Sequence, residues 1–116
     1  MADLIVTYCS TRRNRYGPSR ADDPMLRLEK GSDIRTEKIA LGVVSETGLL
    51  EAGEFDDVVS IYAEAAAWFI IATDDSGGIT AAEPESDGES DTRYIGAGER
   101  LQYLIVPGEK VAAIAG

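Results

Sequence analysis

The sequence predicts an all-β fold: an antiparallel β-sandwich or jelly-roll-like barrel with an extended N-terminal arm. Three observations predict it. Short runs rich in β-branched and aromatic residues recur along the chain. Clusters of Gly, Pro, Asp and Ser separate them. The C-terminal stretch alternates up to a Pro-Gly pair and returns after it. With 116 residues, the chain is expected to form one domain, with a strand and basic arm over 1–24 and a β domain over 25–116.

Leu4-Ile5-Val6-Thr7-Tyr8-Cys9 is the first β-prone run. Residues 10–24, STRRNRYGPSRADDP, have no hydrophobic period and contain Gly17-Pro18 and Pro24, which marks a loop or arm. An irregular segment of that length in a compact domain points to function or disorder. Met25-Leu26-Arg27-Leu28 reads as a brief strand, and Lys30-Gly31-Ser32 turns the chain. Ile34 to Val44 reads as a further strand, with Ile34, Thr36 and Lys38 on one side and Ile39, Leu41 and Val43 on the other.

The middle supports two patterns. Phe55, Val58, Val59, Tyr62, Ala66 and Phe69 fit a helical stripe, while Val58, Ser60, Tyr62 and Val59, Ile61, Ala63 alternate as a strand. The run Trp68 to Thr73, stopped by Asp74-Asp75-Ser76-Gly77-Gly78, favours two strands at 56–63 and 67–73. Residues 83–91, EPESDGESD, form a polar acidic loop. At the end, Leu101, Tyr103 and Ile105 alternate with Gln102, Leu104 and Val106. Pro107-Gly108 suits positions i+1 and i+2 of a type II turn, and 111–115 returns as the second arm of a hairpin. The expected core is Val59, Ile61, Trp68, Ile70, Leu101, Tyr103, Ile105, Val111 and Ile114.

Charge divides the chain. Residues 1–38 hold eight basic and six acidic residues, net +2, and residues 39–116 hold three basic and fifteen acidic, net −12. A basic head on an acidic body can dock on neighbouring copies, because opposite potentials steer association. The arm concentrates Arg12, Arg13, Arg15, Tyr16 and Arg20. Clustered arginines with an aromatic anchor interfaces and bind phosphates. The negative body repels a polyanion, so an acidic protein surface suits the arm better than nucleic acid.

Several chemistries lack their residues. There is no histidine, which removes Ser-His-Asp and Cys-His catalysis and His-ligated zinc. One cysteine, Cys9, forms no internal disulfide. No apolar run reaches the ~20 residues of a membrane helix, and Met1-Ala2-Asp3 opens no signal peptide, so synthesis in a cytoplasm is expected. Gly96-Ala97-Gly98 precedes a strand, not the helix that a dinucleotide fingerprint requires. The 83–91 acids depart from EF-hand spacing, and a solvated loop is the simpler reading than a calcium site. No catalytic, cofactor or metal residues are assigned, and a non-enzymatic role is expected.

The stretch Ile95-Gly96-Ala97-Gly98-Glu99, Leu101 to Val106 and Pro107-Gly108-Glu109-Lys110-Val111-Ala112-Ala113-Ile114 resembles the ending of many small β-rich virion proteins of tailed bacteriophages. Those proteins typically close with an "aGe…v.pGdkvAai" pattern. The apolar strand Ala66 to Thr73 before a variable acidic loop is similar too, as is the opening strand and arginine arm, Leu4 to Arg15. The resemblance implies a capsid decoration or cement protein on the outer head surface, partnered by the major capsid protein and commonly trimeric. A head-to-tail, neck or fibre-base component is also compatible with it. A different class is an acidic inhibitor that mimics DNA with its carboxylates. A small carbohydrate- or metal-binding β module is a third, weakened because Trp68 sits in an apolar run and reads as core.

Overall fold

The structure, a computed structural model, describes residues 2–10, 34–54, 56–73, 79–85 and 90–116. The brief strand expected at 25–28 lies outside these residues. Eight strands are formed: β1 (Asp3–Cys9), β2 (Arg35–Ala40), β3 (Glu46–Thr47), β4 (Val58–Ala63), β5 (Ala67–Thr73), β6 (Arg93–Ile95), β7 (Arg100–Leu104) and β8 (Glu109–Ala115). No helix occurs among the described residues. The ambiguous middle is two strands, β4 and β5, as the β-prone run Trp68 to Thr73 indicates.

The strands make two four-stranded sheets, ordered β2-β1-β4-β7 and β3-β8-β5-β6. Every pairing is antiparallel. Counted from β2 as first round to β1 as last, the first sheet reads first, eighth, third, sixth, and the second reads second, seventh, fourth, fifth. That is the strand order of a jelly roll, with the chain opened between β8 and β1. The expected sandwich is therefore present, and its topology is of the jelly-roll kind.

The core lies between the sheets. Leu4, Val6 and Tyr8 of β1 alternate inward, with Val59, Ile61 and Ala63 of β4 and Ile39 of β2 beside them. From the second sheet come Ala67 and Phe69 of β5, Val111 and Ala113 of β8, and Ile95 of β6. Leu101 and Tyr103 of β7 pack against this core while half-exposed.

Three of the expected core residues belong elsewhere. Trp68, Ile70 and Ile114 lie on the outer face of the second sheet and are half-buried. The inward residue is Phe69, fully buried and opposite Ala113. Outside, Trp68 meets Tyr94 edge to face at 5.0 Å. The strand expected to reach Val44 ends at Ala40, and Val43 stands in the following loop, 93% exposed.

The C-terminal turn forms as expected, but the hairpin does not. Glu109 N–H donates to Val106 O at 3.2 Å and Gly108 has φ 89°, the left-handed geometry of the third residue of a type II turn. Yet β7 pairs with β4 in one sheet and β8 pairs with β5 and β3 in the other. The turn is an arch carrying the chain between sheets. A Pro-Gly turn fixes a local reversal, whereas the partner of each strand is decided by the faces buried.

The turn at 96–99 is built alike. Gly98 has φ 78° and Glu99 N–H donates to Gly96 O. In each turn the fourth residue is a glutamate that reaches back to the first N–H, Glu99 to Gly96 at 2.6 Å and Glu109 to Val106 at 2.8 Å. Asp56 does the same for Gly53 at 2.7 Å.

Candidate docking surfaces

The five residues expected to bind a partner, Arg12, Arg13, Arg15, Tyr16 and Arg20, lie outside the described residues. The structure places the two strands that flank them. Cys9 ends β1 and Arg35 begins β2, and Tyr8 pairs with Arg35, so both roots of the arm segment sit side by side at one end of the sandwich. The 48–57 loop and the 105–108 arch share that end, tied by Asp57 N–H to Cys9 O, Ile105 N–H to Asp57 O and Gly108 N–H to Ala52 O.

A polar cluster secures this end. Arg35 forms an ion pair with Asp56, donates to Glu51 O at 3.1 Å and lies over the Tyr8 ring at 5.6 Å. Asp56 is buried and Arg35 is partly exposed. Glu37 accepts the N–H groups of Leu49 and Leu50 at 2.7 and 2.9 Å. Tyr8 points its hydroxyl at Leu50 O, 3.4 Å away. Burial, with the Glu37 carboxylate adding to it, pushes the Tyr8 phenol far above its ordinary range, so it stays a neutral donor. The cluster binds loop to sheet.

Cys9 belongs to the same end. Its thiol is buried, points at Val58 O at 3.6 Å and is pushed up by burial, then by Asp56 and Asp57. Thiolate is the reactive form. Labelling of Cys9 by a disulfide reagent at neutral pH is therefore expected to run on the order of a hundredfold slower or more than in urea, because access needs opening of a core strand. Equal rates in the two conditions would show that Cys9 is not held this way.

Glu37, Asp56, Glu64, Glu99 and Glu109 each accept backbone N–H groups, so these carboxylates close turns and loops. In the described part of the 83–91 loop, Glu83, Glu85 and Asp91 are exposed, and no group of three possible metal ligands occurs among the described residues.

Large apolar side chains are exposed singly along both edges of the sandwich. Val43, Val44 and Leu49 stand in the loops around β2 and β3, the edge strands of one side. Tyr94, Leu104 and Val106 stand at β6 and β7, the edge strands of the other. Leu104 is 85% exposed. Its exposure was readable in principle: if Leu101, Tyr103 and Ile105 face inward, Leu104 falls on the opposite parity. Two arginines of this second flank are held over tyrosine rings, Arg93 over Tyr103 at 4.5 Å and Arg100 over Tyr62 at 5.3 Å.

Comparison with protein families, curated proteins and solved structures finds no match to this chain.

Proposed function

We propose that the protein is a non-enzymatic structural component of a tailed-bacteriophage virion, a decoration or cement protein that binds the outer head shell and the major capsid protein. The observation that supports it best is the seat of the arginine segment: its two roots, Cys9 and Arg35, lie side by side at one end of a small antiparallel sandwich. From there Arg12, Arg13, Arg15 and Arg20 make charge-assisted hydrogen bonds to an acidic surface.

The resemblance of the 95–114 stretch to phage virion endings selects the capsid among possible lattices. Mass spectrometry of purified particles is expected to find the chain in many copies, and particles free of it overturn the proposal. Replacing Arg12, Arg13, Arg15 and Arg20 together by Ala is expected to lower particle occupancy at least tenfold, about 1.4 kcal/mol or more of binding, with an unchanged unfolding midpoint. Unaltered occupancy would remove the arm from the interface.

A further inference from the structure

We propose that two copies of this chain pair edge to edge through β7, antiparallel and two-fold about Gln102, joining their β2-β1-β4-β7 sheets into one continuous sheet. The phase of the β4–β7 ladder is fixed at both ends. Ala63 N–H donates to Glu99 O at 3.1 Å, and Ile105 N–H donates to Asp57 O at 3.0 Å. In an antiparallel ladder the hydrogen-bonded residues alternate. Glu99, Leu101, Tyr103 and Ile105 therefore turn their backbone groups to β4, and Arg100, Gln102 and Leu104 turn theirs outward. The next outward N–H, that of Val106, is already taken by Glu109, which limits the open edge to three residues.

An open edge is a template for another strand, and proteins guard edges with charge, proline or brevity. β3 has two residues and β6 has three. At β2 the Leu41 N–H to Ala2 O bond sets the phase so that Thr36, Lys38 and Ala40 face outward. Two-fold pairing there places Lys38 against Lys38 of the other copy, a like-charge opposition. Among the described residues β7 has no such guard. Its one charge, Arg100, is drawn back over its own sheet, donating to Ser60 Oγ at 3.1 Å and lying over the Tyr62 ring.

The occupant that fits is a second copy, because the outward register is self-matching. Centred on Gln102, it sets Arg100 of each chain opposite Leu104 of the other and Gln102 opposite Gln102. Three hydrogen-bonded pairs then form, about six inter-chain bonds. The amide of Gln102 both donates and accepts, so it pairs with its own kind. The exposed Leu104 lies against the backbone edge of the other chain beside its Arg100, which leaves the exposed leucine a contact surface. The register keeps the two arginines apart, and the net charge of −10 on each copy is largely screened at ~0.15 M salt.

Gln102→Pro tests this in the full chain. Its N–H faces away from β4, so proline removes an inter-chain donor without breaking the intrachain ladder, the one setting in which edge proline is tolerated. In analytical ultracentrifugation the unaltered chain is expected to sediment at twice the 12.4 kDa of a single chain. Gln102→Pro is expected to halve that mass with an unchanged circular dichroism spectrum. Leu104→Lys, a change at a side chain outside the core, is expected to do the same and decides the matter should the proline variant fail to fold. An unaltered chain that sediments as a monomer overturns the proposal. So does a dimer or a trimer that survives both substitutions. Self-pairing needs no particle, so failure of capsid attachment leaves this result standing, and the reverse also holds.

Discussion

Phe69→Ala is expected to lower the free energy of unfolding by about 3–5 kcal/mol, the usual range for a fully buried phenylalanine. Urea titration would show it as a lower midpoint with an unchanged slope. Phe69 sits mid-strand in β5 with no solvent exposure, and its ring meets Tyr103 from the opposite sheet at 5.8 Å and 54°. Its neighbours cannot close the gap. Ala113 lies opposite in β8, and Ala67 precedes it on the same face. A cavity lined by alanine methyls collapses poorly, which keeps the cost near the upper part of that range. Total stability in a domain of this size is about 5–15 kcal/mol, so the variant approaches the threshold of folding. Trp68→Ala, one residue earlier, is expected to cost less despite the larger ring, because Trp68 is half-buried on the outer face of its sheet, beside Tyr94. A greater loss at Trp68 than at Phe69 would reverse the assignment of faces in β5.

That assignment marks the limit of what the sequence discloses. β1 reads as a strand but not by face: Leu4, Val6 and Tyr8 turn inward, yet Ile5 and Cys9 at the other parity are apolar too, and none of the three inward residues was in the expected core. β5 is the same, since AWFIIAT is apolar at both parities, and period-two reasoning has nothing to choose between. Trp68 reads as core because it sits in an apolar run, whereas the small residues Ala67 and Ala113 leave inward room for Phe69 and its contact with Tyr103. The C-terminal turn shows a second limit. Val106 to Glu109 specify their own geometry through Pro107 and Gly108, but which strand lies beside β7 depends on β4, some forty residues earlier in the chain. Long-range pairing leaves no local signature. At the candidate surfaces the arginine arm was conspicuous in composition. The Arg35–Asp56 pair was not, because the two residues are separated in sequence and each looks like an ordinary surface charge.

Removing that pair is expected to have the largest effect among the polar changes. Asp56→Ala should cost about 2–3 kcal/mol, below the range of about 3–5 for breaking a fully buried ion pair, because Arg35 stays partly in water. Two contacts fail together. Arg35 loses its carboxylate, the Gly53 N–H loses its acceptor, and the 53–56 turn keeps only the Asp56 N–H to Gly53 O bond at 3.2 Å. Asp56→Asn keeps a side-chain oxygen for Gly53 and should cost less, so the difference between the two variants measures the turn separately from the charge. Both would be read by urea midpoints. Arg35 is the first residue of β2, and its guanidinium is held by Asp56, Glu51 O and the Tyr8 ring. The same contacts that stabilise the end of the sandwich therefore set where the arm segment re-enters it. Limited proteolysis of Asp56→Ala is expected to cleave near Arg35 faster than in the unaltered chain. A variant that lost stability with no change in cleavage there would confine the pair to loop closure and separate it from the arm.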